Sequence, residues 1–175
     1  MTALFDQNIV GERKVIDFHT HPYRKRGEFM GMYGEHFYLP PEQMPEDLAR
    51  AGEYGMVVSY HTMPEWAPQM EKMVSRNPGV TFVAAHPGQK DDYLRHVGRM
   101  NKYPNLYLDI SGTGLFRYGL LASCAQTVGS ERILFGTDYP ICNPRMYVQA
   151  VLGEHISEED KENILWRNAK RILGI

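Results

Sequence analysis

The stretch VIDFHTHP, residues 15–22, combines the pattern of a buried strand with two metal-capable side chains. Its apolar residues are those that buried strands prefer, and Pro22 ends the strand because it has no N–H to donate. Alternate side chains of a strand share a face, so His19 and His21 are expected to project the same way. Two such imidazoles can bind one divalent ion, and a pair of strand histidines hydrogen-bonded to their neighbours fits this stretch equally well.

Composition and charge indicate one globular domain over residues 1–175. Hydrophobic residues make up 43% and charged residues 23%, and the formal net charge is -2. No broad basic field points to nucleic acid or an anionic membrane, because Arg24, Lys25 and Arg26 form only a small local patch. No apolar run approaches the roughly 18 residues of a membrane span. The start lacks the pattern of a signal peptide, so we expect a cytoplasmic protein.

Strand-like and helix-like segments alternate along the chain. The predicted strands are residues 14–21, 56–61, 80–86, 106–111 and 133–140, and the predicted helices are residues 45–52, 64–76, 90–101, 116–128 and 157–173. In the helix at 90–101 the residues expected to face the core are Tyr93, Leu94, Val97 and Met100. Alternation of this kind, with nearly continuous apolar strands, predicts parallel βα units in an α/β fold.

Most of these strands stop at a side chain that can bind a metal: His19 and His21, His61, His86 and finally Asp138. In parallel α/β folds the carboxyl ends of the strands form the edge where sites are built. Burying several imidazoles and a carboxylate together costs several kcal/mol unless they are paired or coordinated. Core packing alone therefore explains this series poorly, and a shared metal ion explains it well.

The series also resembles a known family. Segments 15–21, 82–88 (FVAAHPG), 103–109 (YPNLYLD), 133–140 (ILFGTDYP) and 164–173 follow, in order, motifs of the amidohydrolase superfamily, specifically its amidohydrolase-related branch of metal-dependent hydrolases and decarboxylases. The resemblance implies a TIM-barrel-like, metal-dependent hydrolase fold, with the metal at the C-terminal mouth of the barrel.

The same resemblance implies a role for each matching residue. His19, His21 and His61 would ligate the ion, and Asp138 would ligate it or take a proton from metal-bound water. His86 would be the catalytic histidine that polarises the substrate or carries a proton. The branch typically holds one Zn²⁺ ion, with Mn²⁺ or Fe²⁺ as alternatives.

The chain departs from the family in its length. A complete barrel usually takes about 250 residues, and the chain has 175. Only residues 22–60 separate His21 from His61, where the family would place several βα units. We therefore expect a reduced or incomplete barrel with fewer than eight βα units. An exposed sheet edge is a liability, which favours a homodimer.

Three functions remain open at this level. The leading hypothesis is a hydrolase of a small, carboxylate-bearing molecule, in which the ion lowers the pKa of bound water towards about 7. Arg24 would bind the substrate carboxylate, although an exposed basic loop explains that residue equally well. The alternatives are a non-oxidative decarboxylase of an unsaturated or aromatic acid, and a reduced metal-binding domain without turnover. Aromatic side chains in the long loop, Phe29, Tyr33, Phe37 and Tyr38, would suit a ring, as would simple packing.

Overall fold

Four parallel strands form the sheet on which the rest of the described chain is built. A computed structural model describes residues 13–20, 44–62, 64, 67–115 and 117–175. The strands are β1 (Val57–His61), β2 (Thr81–Ala85), β3 (Leu106–Asp109) and β4 (Ile133–Leu134). The helices are α1 (Met44–Glu53), α2 (Ala67–Arg76), α3 (Lys90–Lys102), α4 (Leu120–Val128), α5 (Pro144–Leu152), α6 (Glu158–Glu162) and α7 (Asn168–Leu173), with a π-helical stretch at Asn163–Arg167 between the last two and a 3₁₀ turn at Ser130–Arg132.

The strands lie in the order β1-β2-β3-β4, and every neighbouring pair is parallel. This arrangement confirms the predicted α/β class. Strand β2 is apolar from Phe82 to Ala85, and Phe82 and Val83 are both completely buried. Since a parallel sheet is covered on both faces, such a strand needs no alternation of polar and apolar residues.

Alternate residues of the strands enter two different clusters. Phe82, Leu108 and Ile133 belong to a large core that includes buried side chains of α3, α4 and α5. Val83 and Leu134 belong to a smaller cluster with Ala169 of α7. The period of two along each strand therefore sends alternate side chains to opposite faces of the sheet.

The N-terminal segment, residues 13–20, lies beside the chain that follows β4. Phe18 N donates to Phe135 O (2.9 Å), Asp138 N donates to His19 O (2.8 Å), and Thr20 forms a parallel bridge with Tyr139. The predicted strand at 133–140 is thus shorter than expected, because β4 pairs with β3 over two residues only. Beyond β4 the chain turns its hydrogen bonds to the N-terminal segment.

Several helix boundaries differ from those predicted. The helix expected at 64–76 begins at Ala67, and the one expected at 116–128 begins at Leu120, after Gly119 in a left-handed conformation (φ 88°). Helix α5 was not predicted, although Pro144 occupies its first turn and the Asn143 side chain accepts from Arg145 N.

Helix α3 turns a different face to the core from the one predicted. Leu94 is 48% exposed, whereas His96 is 3% exposed. The side chains of Tyr93, Val97 and Met100 are buried as expected. None of the helices in the described ranges has the length and apolar character that a membrane span requires.

Candidate active site

The carboxyl ends of the four strands bring the predicted site residues to one edge of the sheet. His61 ends β1, His86 follows β2 directly, and Asp109 ends β3. In the parallel register His61 lies opposite Ala85, and Ala85 lies opposite Asp109. The edge predicted from the sequence is therefore the edge at which these side chains assemble.

His19 reaches the same edge through the N-terminal segment. Its backbone carbonyl accepts the Asp138 N–H, which places the two side chains next to each other. His19 Nε2 lies 3.5 Å from Asp138 Oδ1. Residues far apart in the sequence are thus fixed as neighbours by main-chain hydrogen bonds.

His19, His86 and Asp138 form a cluster that fits a metal ion. One donor atom from each lies within 4.8 Å of the others. Two imidazole nitrogens and one carboxylate oxygen are a donor set that Zn²⁺, Mn²⁺ and Fe²⁺ accept. Asp138 is only 7% exposed, so a cation here would offset the cost of burying its charge.

His61 lies on the open side of this cluster. Its ring centroid is 4.7 Å from that of His86, and the His86 ring is 5.0 Å from the His19 ring. His61 itself is exposed. His61 therefore lies next to the cluster, with its ring against that of His86.

Two residues that follow one another closely at the end of β3 hold the rings of His19 and His86. The Asp109 carboxylate, completely buried, accepts from His19 Nδ1 through Oδ2 (2.6 Å) and from Ser111 N through Oδ1 (2.7 Å). Ser111 Oγ lies 3.0 Å from His86 Nδ1 and 3.2 Å from His19 Nδ1. Both histidines are therefore held at Nδ1.

Asp17 ties the N-terminal segment to the turn that carries Asp138. Its carboxylate accepts from Thr137 N (3.0 Å), from Thr137 Oγ1 (2.5 Å) and from His19 N (3.3 Å). Burial raises the pKa of Asp17 to about 6, and the hydrogen bonds from Thr137 and His19 oppose this shift only in part.

The pKa values of His19 and His86 are shifted in opposite directions. Burial disfavours the charged ring of His19, but the Asp109 carboxylate, with help from Asp138 and Asp17, outweighs burial and raises the pKa of His19. Burial lowers the pKa of His86, and the positive charge of His19 adds to this effect. Groups with opposite shifts side by side are typical of catalytic sites.

The backbone is strained at two of the site residues. His86 (φ 72°) and Asp138 (φ 60°) are the non-glycine residues with positive φ among those described. Such a conformation costs of order 1–3 kcal/mol per residue. The neighbouring glycines leave room for the cluster: a Cβ at Gly112 would collide with His86 Nδ1, and one at Gly136 would collide with Asp109.

A cavity of about 370 Å³ opens beside the cluster. Its lining includes His61, His86 and Asp138 on the sheet side and Arg95, His96 and Arg99 of α3 on the other. The cavity thus joins the metal-capable group to two guanidinium groups, an arrangement that suits a small anionic ligand.

The sequence and the structure can be compared residue by residue. His19, His61, His86 and Asp138 meet at one edge, whereas His21 and Arg24 lie outside the described residues. Four further residues contact the cluster or line the cavity and were not predicted: Asp109, Ser111, Arg95 and Arg99. Asp109 was hidden because the strand was predicted to run to residue 111, whereas it ends at Asp109. The two arginines carried no signal, because surface arginines on helices are common.

Comparisons with known proteins bear on this site. The amidohydrolase family profile matches residues 37–175. A gamma-resorcylate decarboxylase from Polaromonas sp. strain JS666 is 26% identical over 170 residues, covering 79% of this chain and 50% of that protein. A 2-amino-3-carboxymuconate-6-semialdehyde decarboxylase from Caenorhabditis elegans is 43% identical over 52 residues, covering 29% of this chain and 13% of that protein. The chain spans half the length, or less, of these curated relatives.

Solved structures share the fold. A TIM-barrel protein from Bordetella bronchiseptica superimposes with a TM-score of 0.65 at 25% identity, covering 77% of this chain and 51% of that one. An amidohydrolase from Burkholderia multivorans with bound zinc superimposes with a TM-score of 0.60 at 15% identity, covering 74% of this chain and 56% of that one. A dihydroxybenzoic acid decarboxylase from Polaromonas sp. with bound manganese and the inhibitor 2-nitroresorcinol gives 0.55 at 20% identity, covering 77% and 54%.

The sheet of this chain therefore corresponds to part of a TIM barrel, as the sequence predicts for a reduced barrel. The family profile covers more than half of the chain and includes β1 to β4 and all of the described helices. This chain belongs to the amidohydrolase family.

Proposed function

We propose that this protein is a metal-dependent enzyme that removes CO₂ from a small unsaturated or aromatic carboxylic acid. The observation that carries the proposal is the convergence of His19, His86 and Asp138 within 4.8 Å beside a cavity. The sequence alone favoured hydrolysis. The two curated relatives, which are both decarboxylases, move decarboxylation to the first place.

In the proposed site His19 and Asp138, two members of the cluster, hold the ion together with His61, whose ring lies against that of His86, and with His21, which lies outside the described residues. His86, the third member of the cluster, is assigned to the substrate instead. Zn²⁺ is the expected ion, with Mn²⁺ or Fe²⁺ as alternatives, since zinc and manganese occur in two of the structural relatives. When bound, the ion supplies a Lewis acid that orients and polarises oxygen atoms of the ligand.

His86 acts on the substrate carbon. In decarboxylation the bond between the ring or alkene carbon and the carboxyl carbon breaks, CO₂ leaves, and the electron pair left on carbon takes up a proton. Burial, with the charge of His19, lowers the pKa of His86, so its protonated ring would give up a proton readily to the substrate carbon, and the neutral ring left behind would take a proton from solvent. Its place on the cavity lining puts it within reach of a ligand.

Arg99 and Arg95, which line the cavity, are candidates beside Arg24 for binding a carboxylate of the substrate. Arg99 Nε lies 3.9 Å from Glu71 Oε2, and Glu71 is already bonded to Lys102 (2.7 Å). The Arg99 guanidinium therefore retains capacity for an anionic group of the ligand.

Hydrolysis of a small carboxylate-bearing molecule is the second candidate. The donor set of His19, His86 and Asp138 favours it, because histidine and carboxylate ligands are also those of metal-dependent hydrolases. Asp138 or His86 would then accept the proton from water.

The test begins with the purified wild-type protein. We expect about one divalent ion per chain by elemental analysis, and release of CO₂ from 2,6-dihydroxybenzoate after loading with Zn²⁺ or Mn²⁺. The variant His19→Ala should lose the ion, whereas His155→Ala, at an exposed loop position, should keep it. Turnover of lactones or amides without release of CO₂ would favour hydrolysis. Absence of metal, with no thermal stabilisation by Zn²⁺ or Mn²⁺, would leave a domain without turnover.

Two further expectations remain proposals. A homodimer would cover the outer edge of β1, which pairs with no other strand within the part of the chain described here. Light scattering that finds only monomer would contradict it. A cytoplasmic location agrees with free cysteines at Cys124 and Cys142, and fractionation of cells would test it.

A further inference from the structure

The buried Asp109 carboxylate determines which nitrogen of His19 is available. A carboxylate can only accept hydrogen bonds, so the His19 nitrogen 2.6 Å away, Nδ1, must carry a proton. The neutral ring then keeps its lone pair on Nε2, the nitrogen that faces Asp138. This is the tautomer that binds a metal ion through Nε2.

Ser111 holds the second histidine in a different way. Its hydroxyl lies 3.0 Å from His86 Nδ1, and its carbonyl oxygen lies 3.3 Å from the same atom. A hydroxyl can donate or accept, whereas a carboxylate cannot donate. If His86 Nδ1 bears the proton, either oxygen of Ser111 accepts it. If Nε2 bears the proton, the hydroxyl donates to Nδ1.

We propose that Asp109 and Ser111 are positioning residues with different tasks: Asp109 locks His19 in the metal-binding tautomer, and Ser111 allows His86 to carry its proton on either ring nitrogen. The inference rests on the proposed function, in which His19 is a ligand and His86 handles a proton. Neither Asp109 nor Ser111 is required to touch substrate.

The surrounding structure favours this assignment over simple packing. Asp109 and Ser111 are both completely buried, and Asp109 Oδ1 accepts from Ser111 N, so the two residues form one rigid unit. Glycine at positions 112 and 136 allows this unit to approach the imidazoles, since a Cβ at either position would collide with the site. A pair retained only for packing would not need polar side chains in a buried position.

Metal affinity tests the role of Asp109. The variant Asp109→Asn keeps the shape but removes the negative charge, and its amide group can also donate. We expect Zn²⁺ affinity, measured by competition with a chelator, to fall by about 10- to 100-fold. The matched control is Asp91→Asn, an exposed position in the first turn of α3, which should leave affinity unchanged. Unchanged affinity in Asp109→Asn, in a protein whose spectrum is that of the folded chain, would refute this half of the proposal.

Nitrogen NMR of protein with ¹⁵N-labelled histidine tests the role of Ser111. In the wild type we expect the two ring nitrogens of His86 to give shifts averaged between tautomers, and in Ser111→Ala we expect the Nδ1–H form alone, donating to the carbonyl of residue 111. Ser111→Thr keeps the hydroxyl and should restore averaging, and Ser123→Ala, exposed on α4, serves as the control. A single tautomer in the wild type, or averaging in Ser111→Ala, would overturn the proposal.

The same measurements separate this inference from the proposed function. Histidine tautomers can be measured in metal-free protein. A wild type that binds no metal and releases no CO₂ would therefore contradict the proposed function, and the NMR spectra would still test the role of Ser111. In an active enzyme, Ser111→Ala should retain its metal and lose turnover.

Discussion

The two sides of the site differ in how firmly they are held. On the clamped side, formed by the N-terminal segment, the end of β3 and the turn after β4, Asp109 is completely buried and Asp138 is 7% exposed. On the open side, formed by the end of β1 and by α3, His61 is exposed and the Arg95 side chain is 57% exposed. The clamped side holds the proposed ligands His19 and Asp138 rigidly, and the open side, which carries the proposed ligand His61, has the access that a substrate needs.

The hydrogen bonds explain this difference. His19 is tied by its carbonyl to Asp138 N and by its ring to Asp109, and Asp17 adds bonds to Thr137. The guanidinium groups of the open side contact carboxylates of their own helix or of α2 at 3.2 Å for Arg95 and 3.9 Å for Arg99. Partly exposed ion pairs of this kind contribute little to stability and can be exchanged for a ligand.

The largest expected effects distinguish the two histidines where these sides meet. We expect His86→Gln to keep its metal and to lose about 10²- to 10⁴-fold in turnover, because it removes a proton carrier. We expect His61→Gln to lose metal on gel filtration, because it removes a ligand. Elemental analysis and CO₂ release measure both effects, with His155→Gln as the control. If His86→Gln lost its metal and His61→Gln kept it, the ligand would be His86 and not His61. His86 would then belong to the clamped side.

A smaller effect is expected from the open side. Arg99→Met should weaken binding of an aromatic carboxylate, measured by titration calorimetry, by about 10- to 100-fold, because a charge-assisted hydrogen bond is lost. Arg95→Met should weaken it less, since Arg95 is more exposed and pairs with Asp92. Metal content should not change in either variant. The matched control is Arg76→Met at the exposed end of α2. Equal affinity for the aromatic carboxylate in Arg99→Met and Arg76→Met would show that Arg99 does not bind the ligand.

The smallest effect concerns how the free energy of unfolding depends on pH through His96, the buried histidine of α3. Burial lowers the pKa of His96 to about 4, and the nearby Arg99 adds to the shift. Because the unfolded ring takes up a proton at higher pH than the folded ring, stability is lost as pH falls from about 6.5 towards 4. Between pH 7 and pH 5 we expect a loss of about 2 kcal/mol in the free energy of unfolding from this group. Urea titrations at both pH values measure it.

The variant His96→Gln, which cannot take up a proton in this range, should show a weaker dependence on pH. Its comparison partner is His155→Gln, an exposed histidine on the loop after α5. Equal slopes for His96→Gln and the wild type would mean that other groups determine stability in this range.

Much of the site could be predicted because the end of a buried strand is visible in the sequence as an apolar run followed by a polar residue. An apolar run that stops at His61, His86 or Asp138 contains both the burial pattern of a strand and the chemistry of its end. Parallel strands then bring these ends to one edge, so proximity follows from fold class alone. The same rule finds Asp109 only when the strand predicted at 106–111 is ended at residue 109, as it is in the structure.

Other features of the site depend on how α3 packs and could not be predicted from the sequence. Arg99 and His96 lie on a helix whose apolar pattern predicted that Leu94 would be buried, and packing against the sheet rotated that face away. The pattern on a short helix fixes its inner face only to within about one residue, because positions three and four apart share a stripe.

The sequence by itself determined the α/β class and four of the five predicted strands, because hydrophobic periodicity and breakers act locally along the chain. The strand predicted at 14–21 is a single bridge at Thr20 within the described residues 13–20. Only the tertiary structure decided that His19 would lie against Asp138, that Asp109 and Ser111 would hold two imidazoles at Nδ1, and that α3 would bring arginines to the cavity. Those contacts join segments remote in sequence, and they are decided by the register of the sheet and the packing of helices on it.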